Sequence, residues 1–337
     1  MISQRVVAAL GGLAASLPGA LAGFNPSVTD NIAIYWGQNS VNKQGGQLRL
    51  AEYCADSPIN IIPLAFLNVI KNPTTVNFAS ASDNCTAFPD SQLLRCPQIE
   101  EDIQICQSLN KSILLSIGGA TYTEGGFASA EEAQTWAATI WAMFGPAPLG
   151  FTDDSDSDVL RPFGNATVDG FDMDLEASSA HMAEFAGALR SNMDGSDAGK
   201  AGRKFLLSTA PQCPFPDAAM GEMLDAGGFD YVGVQFYNNY CAASAYQSGD
   251  QEPGQYNFET WDEWAKNVTT NPGIKVLVGL PGSSTAAGMG YVEGEQLQQM
   301  LAYSKKFESF GGVMSWDMSQ VYANQGWLDS VVSALSG

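Results

Sequence analysis

Eight short runs of β-branched and apolar residues recur along this chain, and few folds accommodate them. They fall at residues 32–37, 61–68, 113–118, 168–176, 205–210, 231–237, 276–280 and 312–317. Apolar runs of this length read as strands buried on both faces, as parallel sheets require. Amphipathic or Ala-rich stretches lie between them, notably at 98–109, 130–144, 180–193, 293–306 and 322–335, and these read as helices. Eight β/α alternations in about 300 residues predict an α/β fold, a single (β/α)8 TIM barrel. The second run is the least strand-like, because Pro63 removes a ladder donor. Between the seventh and eighth runs there is room for about one helix and two short loops, so no large insertion domain is expected there. No Ser/Thr/Pro-rich linker or cysteine-rich module follows the last run, which leaves one domain over 23–337.

Residues 1–22 stand apart. Arg5 supplies a positive start, residues 6–17 form a run of small apolar residues, and Ala20-Leu21-Ala22 fits a small-residue cleavage site. This pattern predicts a secretory signal peptide rather than a membrane span, being short and broken by Gly and Pro. No later segment reads as a bilayer crossing or a lipid-anchor signal, so a secreted, extracellular protein without a membrane anchor is expected. Six cysteines suit an oxidising compartment. Sequons at Asn84, Asn110, Asn165 and Asn267 could accept glycans if they lie on the surface. A formal charge of −21 argues against nucleic acid or an anionic membrane as partner and is compatible with a neutral polysaccharide. A monomer is expected.

The fourth run carries the chemistry. It reads Asp169-Gly170-Phe171-Asp172-Met173-Asp174-Leu175-Glu176, four acids within eight residues. On a strand, Asp172, Asp174 and Glu176 share one face while Phe171, Met173 and Leu175 share the other. Like charges in a row repel, and desolvation disfavours their ionised forms, so such a row persists when it faces water, binds a metal or does chemistry. A solvated strand face is the simplest reading. A hard-cation site is a second, since calcium and magnesium favour clustered carboxylates; one histidine in the chain supplies a zinc or iron site poorly. Glycoside hydrolysis is a third, with a carboxyl of raised pKa protonating a leaving oxygen beside a second carboxylate. The aspartates at 153–158 look superficially like a calcium loop, but Val159 and Asn165 stand where such a loop needs Gly and Glu. They read as a solvated loop on the barrel's bottom face.

In a TIM barrel the site lies at the C-terminal ends of the strands. Those ends carry Tyr35-Trp36-Gly37-Gln38-Asn39, Phe66-Leu67-Asn68, Ser116-Ile117-Gly118-Gly119, Gln235-Phe236-Tyr237-Asn238-Asn239 and Met314-Ser315-Trp316-Asp317. Aromatic rings and amides thus converge where a sugar would lie. The acidic motif resembles the catalytic signature of glycoside hydrolase family 18. The runs at 34–39, 210–217 and 234–239, with Gly279-Leu280-Pro281 and residues 311–316, are similar to those of the hevamine-type, class III chitinases. The similarity spans nearly all of the chain after the expected signal peptide. Pro63 and the aspartate loop depart from it without touching a matched motif.

The resemblance implies an endo-acting chitinase that cleaves β-1,4-linked N-acetylglucosamine polymers with retention, and requires no cofactor or metal. It implies Glu176 as general acid and Asp174 as the group that raises its pKa and holds the N-acetyl group. Asp172 would share a proton with Asp174, Tyr237 would bond the acetamide carbonyl, and Trp316 would floor the reacting sugar. Tyr35, Asn68, Gln235 and Asn238 are expected substrate contacts. Asp169 reads as ordering the start of the strand, and His181 as a surface or capping residue. Two other readings stay open: an endo-β-N-acetylglucosaminidase acting on glycoproteins, and a non-catalytic chitin-binding or inhibitor protein. The second typically lacks a member of the acidic motif, and here all are present.

The barrel order also suggests disulfides. Cys85 and Cys96 share the loop after the second strand, and Cys213 and Cys241 follow the neighbouring fifth and sixth. Cys54 and Cys106 end the first two helices. Three bridges with these pairings are expected.

Overall fold

The computed structural model describes residues 23–337 apart from 56, 72, 153–158, 249–253 and 268–269. The expected signal peptide and the aspartates at 153–158 lie outside the described residues. Eight parallel strands form a closed barrel: Asn31–Ile34, Ile61–Val69, Ser112–Gly118, Gly170–Asp174, Leu206–Thr209, Tyr231–Gln235, Lys275–Pro281 and Phe310–Trp316. Each pairs with the next, and the eighth closes on the first with Asn31 opposite Gly312. The expected TIM barrel is therefore the observed fold, and the chain runs from Pro281 to the helix Gly294–Ser304 without an inserted domain.

Pro63 fits because of where its missing donor falls. The first and second strands pair only at Ala33 with Ile61 and through a bridge between Trp36 and Leu64. There the Trp36 N–H donates to the Pro63 carbonyl (3.0 Å) and the Ala65 N–H to the Trp36 carbonyl (2.8 Å). The proline thus removes a donor from the most sparsely bonded seam of the barrel.

Strand alternation separates two apolar layers. Outward residues such as Ile32, Ile113, Phe171 and Val278 join a continuous core beneath the helices. Inward residues fill the lumen, among them Ala33, Tyr35, Leu114, Leu206, Tyr231 and Met314. Its floor is sealed by Phe24, 3% exposed, whose ring centroid lies 5.1 Å from that of Tyr231. The Phe24 N–H donates to Ser112 Oγ (3.2 Å), and Asn60 Nδ2 to the Gly23 carbonyl (3.0 Å).

The helices at Pro97–Ser108, Ala130–Phe144, Met182–Gly195 and Gly294–Ser304 lie close to where the sequence places them. Ser129 caps Ala130–Phe144 by accepting from the Glu132 N–H, while the Glu132 carboxylate turns back to the Ala128 N–H. The expected helix at 322–335 is instead two, Met318–Ala323 and Trp327–Ser336. Gly326, at φ +82°, turns the chain between them in a conformation that continues neither helix. Helices at Gly221–Ala226 and Phe258–Asn267 were not among those read from the sequence. Disulfides join Cys54 to Cys106, Cys85 to Cys96 and Cys213 to Cys241, the three expected pairings. All four sequon asparagines are exposed. No helix among the described residues is long and apolar enough to cross a membrane.

Candidate active site

The fourth strand ends at Asp174, so Glu176 stands just beyond the sheet rather than within it. Asp172 and Asp174 point into the lumen one above the other, 1% and 4% exposed, while Glu176 is open to solvent at the mouth. Register decides what surrounds Asp172: Ser116 lies opposite on the third strand and Ser208 on the fifth. Both hydroxyls donate to it, Ser116 Oγ to Oδ2 and Ser208 Oγ to Oδ1, each at 2.7 Å. Tyr35 adds a third donor from the first strand, its hydroxyl 2.7 Å from Oδ2. Asp174 Oδ1 accepts from Gln235 Nε2 at 3.0 Å, and that amide is fixed by a second bond to the Ala210 carbonyl (2.8 Å).

These surroundings set the protonation states. Burial raises the Asp172 carboxyl, while the three hydroxyl bonds favour its ionised form and pull it back. Asp174 is held well above the usual carboxylate range, first by burial and then by the charges of Glu176 and Asp172, with the Gln235 bond opposing. Partial desolvation raises Glu176. Burial, followed by the charges of Asp174, Glu176 and Asp172, keeps the Tyr237 hydroxyl a neutral donor. Burial and mutual repulsion thus favour protonation along the row.

Above the row is a pocket of about 260 Å³ lined by Asp174, Glu176, Gln235, Tyr237, Asn238 and Trp316, together with Gln38, Phe66, Ala120, Thr121 and Ala286. Trp316 lies over Phe66 at 5.8 Å with 18° between the ring planes, and 5.7 Å from Tyr35. A larger groove of about 820 Å³, on the flank beside Trp136 and Leu93, holds none of the clustered carboxyls. Size alone therefore does not mark the site. Among the described residues no group of His, Cys, Asp and Glu is arranged to hold a metal ion.

Not every residue read from the sequence reaches the pocket wall. Tyr35 sits beneath it, holding Asp172. Asn68 accepts from Thr75 Oγ1 at 3.2 Å and is not part of the lining. Asn238 is on the wall, but its Oδ1 accepts from the Gly288 N–H (2.8 Å). No hydrogen bond links Asp172 directly to Asp174; hydroxyls occupy both Asp172 oxygens and the Gln235 amide holds Asp174 Oδ1. Asp169 is structural: it accepts from Gln107 Nε2 and the Ile113 N–H and pairs with Arg203. His181 is the residue preceding the helix Met182–Gly195, its Nδ1 3.1 Å from Glu184. The sequence reading named Phe66 and Ser116 only as parts of strand-end runs, with no role for either, and missed Ser208. The two serines had a signal, since a hydroxyl amid a buried apolar strand needs a polar partner.

Residues 31–317 match the profile of glycosyl hydrolases family 18. The chain is 49% identical over 328 residues to Endochitinase 33 of Trichoderma harzianum, covering 97% of this chain and 98% of that one. It is 42% identical to a class III chitinase of Arthroderma benhamiae, over 100% of this chain and 94% of the relative. Among solved structures it is similar to the ICChI chitinase of Ipomoea carnea, with a TM-score of 0.70 and 26% identity over 90% of this chain and 99% of the other. It is also similar to a xylanase–α-amylase inhibitor protein, XAIP-I, with a TM-score of 0.66 and 30% identity over 92% and 97%. Barrel, acidic row and sequence agree: the chain belongs to glycosyl hydrolases family 18 and is a glycoside hydrolase of the chitinase type.

Proposed function

We propose that this enzyme is a secreted endo-chitinase that cleaves β-1,4 bonds between N-acetylglucosamine units with retention, using the substrate's own acetamide as nucleophile. The observation that carries this reading is that Asp174 and Glu176 come from one chain segment, two residues apart. Residues two apart in sequence have Cα atoms no more than roughly 7 Å apart, so both carboxyls rise from the same edge of the pocket. A carboxylate nucleophile has to face the acid across the scissile bond, which neighbours on one segment do not. In the substrate-assisted route the 2-acetamido oxygen attacks C1 as Glu176 protonates the departing oxygen. Asp174 steadies the amide N–H, Tyr237 donates to the acetamide oxygen, and Trp316 floors the sugar. Asp172 is held below Asp174 by its three hydroxyl donors. Glu176 then acts as base on water, which opens the oxazolinium ion from the face the leaving group vacated.

Gln235 and Asn238 stand beside these groups on the pocket wall and would meet the acetyl group or a hydroxyl. The lack of an inserted domain after Pro281 supports an open groove and attack within the polymer. The N-terminal pattern supports secretion, as do three disulfides, which suit an oxidising compartment.

The test compares wild type with Glu176→Gln on chito-oligosaccharides and follows the product anomer by NMR. Early β-anomer from wild type and loss of turnover in the variant are expected. Fully deacetylated chitosan should not be cleaved at a useful rate. Binding without product by wild type would favour an inhibitor or lectin role instead. Comparable turnover of chitosan, or a glycosyl ester trapped on Asp174, would overturn the mechanism.

A further inference from the structure

Because the fourth strand stops at Asp174, something outside the sheet must fix Glu176. The segment that carries it, residues 175–181, is tethered at its far end to the loop after the third strand. The Phe127 N–H donates to the Ala180 carbonyl and the Ala180 N–H to the Gly125 carbonyl, both at 2.9 Å. Gly126 makes this contact possible: it sits at φ +84°, and a Cβ there would lie 2.0 Å from the Ala180 carbonyl oxygen.

That loop is in turn held from the second strand. The Glu124 carboxylate accepts from the Ile70 N–H (2.5 Å) and the Lys71 N–H (3.0 Å), one oxygen to each. The Lys71 ammonium reaches back to the Gly126 carbonyl at 2.6 Å and lies 5.6 Å from the Phe127 ring centroid. Glu124, next to Gly125, and Lys71, bonded to the Gly126 carbonyl, thus anchor the stretch that meets Ala180 through charge-assisted bonds stronger than neutral ones. Ala120 and Thr121, earlier in the same loop, line the pocket. Neither Glu124 nor Lys71 does.

We propose that Glu124 and Lys71 are positioning residues that lock the loops after the second, third and fourth strands into one unit and thereby aim Glu176 at the glycosidic oxygen. The proposal rests on the reading of Glu176 as general acid. Its test uses two substrates that differ only in leaving group: a chito-oligosaccharide, whose departing sugar oxygen needs a proton, and its nitrophenyl glycoside, whose phenolate leaves with little help. The variants are Glu124→Ala, Glu124→Gln, which keeps one acceptor oxygen, and Lys71→Met, which removes the bond to Gly126 and the cation over the Phe127 ring while leaving Glu124 in place. Misplaced protonation should lower kcat/KM on the oligosaccharide by about 10- to 100-fold. On the nitrophenyl glycoside the same variants should lose less than about 3-fold, with Glu124→Gln intermediate on the first substrate. Equal losses on both substrates, or no loss on either in folded Glu124→Gln and Lys71→Met, would overturn it. Glu176→Gln measured alongside separates the two claims. If it shows no leaving-group dependence, the acid assignment fails; if it does and the clasp variants do not, only the clasp fails.

Discussion

Replacing Asp174 with asparagine removes a buried carboxyl that lies between two others, and the folded protein should become more stable as it loses its activity. Asp174 is 4% exposed and held well above the usual carboxylate range by burial, by Glu176 and by Asp172. For charges roughly 6 Å apart at an effective dielectric of about 20, each ionised neighbour costs about 3 kcal/mol. Protonation caps that cost at about 4 kcal/mol, the free energy of protonating an ordinary aspartate at pH 7. Asparagine keeps an oxygen for the Gln235 amide, which donates at 3.0 Å, so little is lost in exchange. Because the folded pKa is raised, the Asp174 contribution to stability is fully present below the unfolded value and is lost as pH rises through the folded one. Asp174→Asn should therefore gain about 2–4 kcal/mol over wild type at pH 7 and almost nothing near pH ~4. Denaturant titrations followed by tryptophan fluorescence at both pH values measure this. A variant no more stable than wild type at pH 7, or shifted equally at both, would refute the assignment of strain to the acidic row.

Three further outcomes are expected. The pH–rate profile should peak on the acid side of neutral, because Glu176 must be protonated and its raised pKa sets the basic limb; an optimum near pH ~9 would contradict this. Trp316→Ala removes the ring lying over Phe66, and KM on chito-oligosaccharides should rise about 10-fold with a smaller change in kcat. Cys213→Ala with Cys241→Ala opens a link across 28 residues, which should cost about 3–4 kcal/mol in denaturant titrations by the loop-entropy relation; a loss below about 1 kcal/mol would show that the fifth- and sixth-strand loops are held by other bonds.

The barrel was legible because its strands are buried on both faces and so appear as unbroken apolar runs. The acidic row was legible because three carboxyls on one strand face have few structural uses. Where the reading slipped, the cause lay in neighbours that sequence spacing does not reveal. Pairing of the second and third strands shifts between Ala65 and Leu67, so Ala65 and Phe66 both face the lumen. Asn68, expected as a substrate contact from its place at the strand end, is bonded to Thr75 instead, while Phe66 lines the pocket. Ser116 and Ser208 support Asp172 only through the register of three strands. Tyr35 looked like a sugar contact because it lies at a strand end, yet its hydroxyl is spent on Asp172. The stretch 322–335 was read as one helix with no weight given to Gly326, whose φ of +82° separates the two helices found.

Phe24 gives the barrel's base the character of a stoppered vessel. The stopper comes from the start of the described chain and seats on Tyr231 in the sixth strand, while the first strand waits for the eighth. Neither the floor nor the wall can be finished until most of the polypeptide exists, so these long-range contacts form late and the chain ahead of them stays exposed. The same geometry limits how the protein can be shortened. A form trimmed to begin at Asn25 would lack the aromatic ring under the lumen and the Phe24 N–H bond to Ser112, opening the lumen to water at the end opposite the active site.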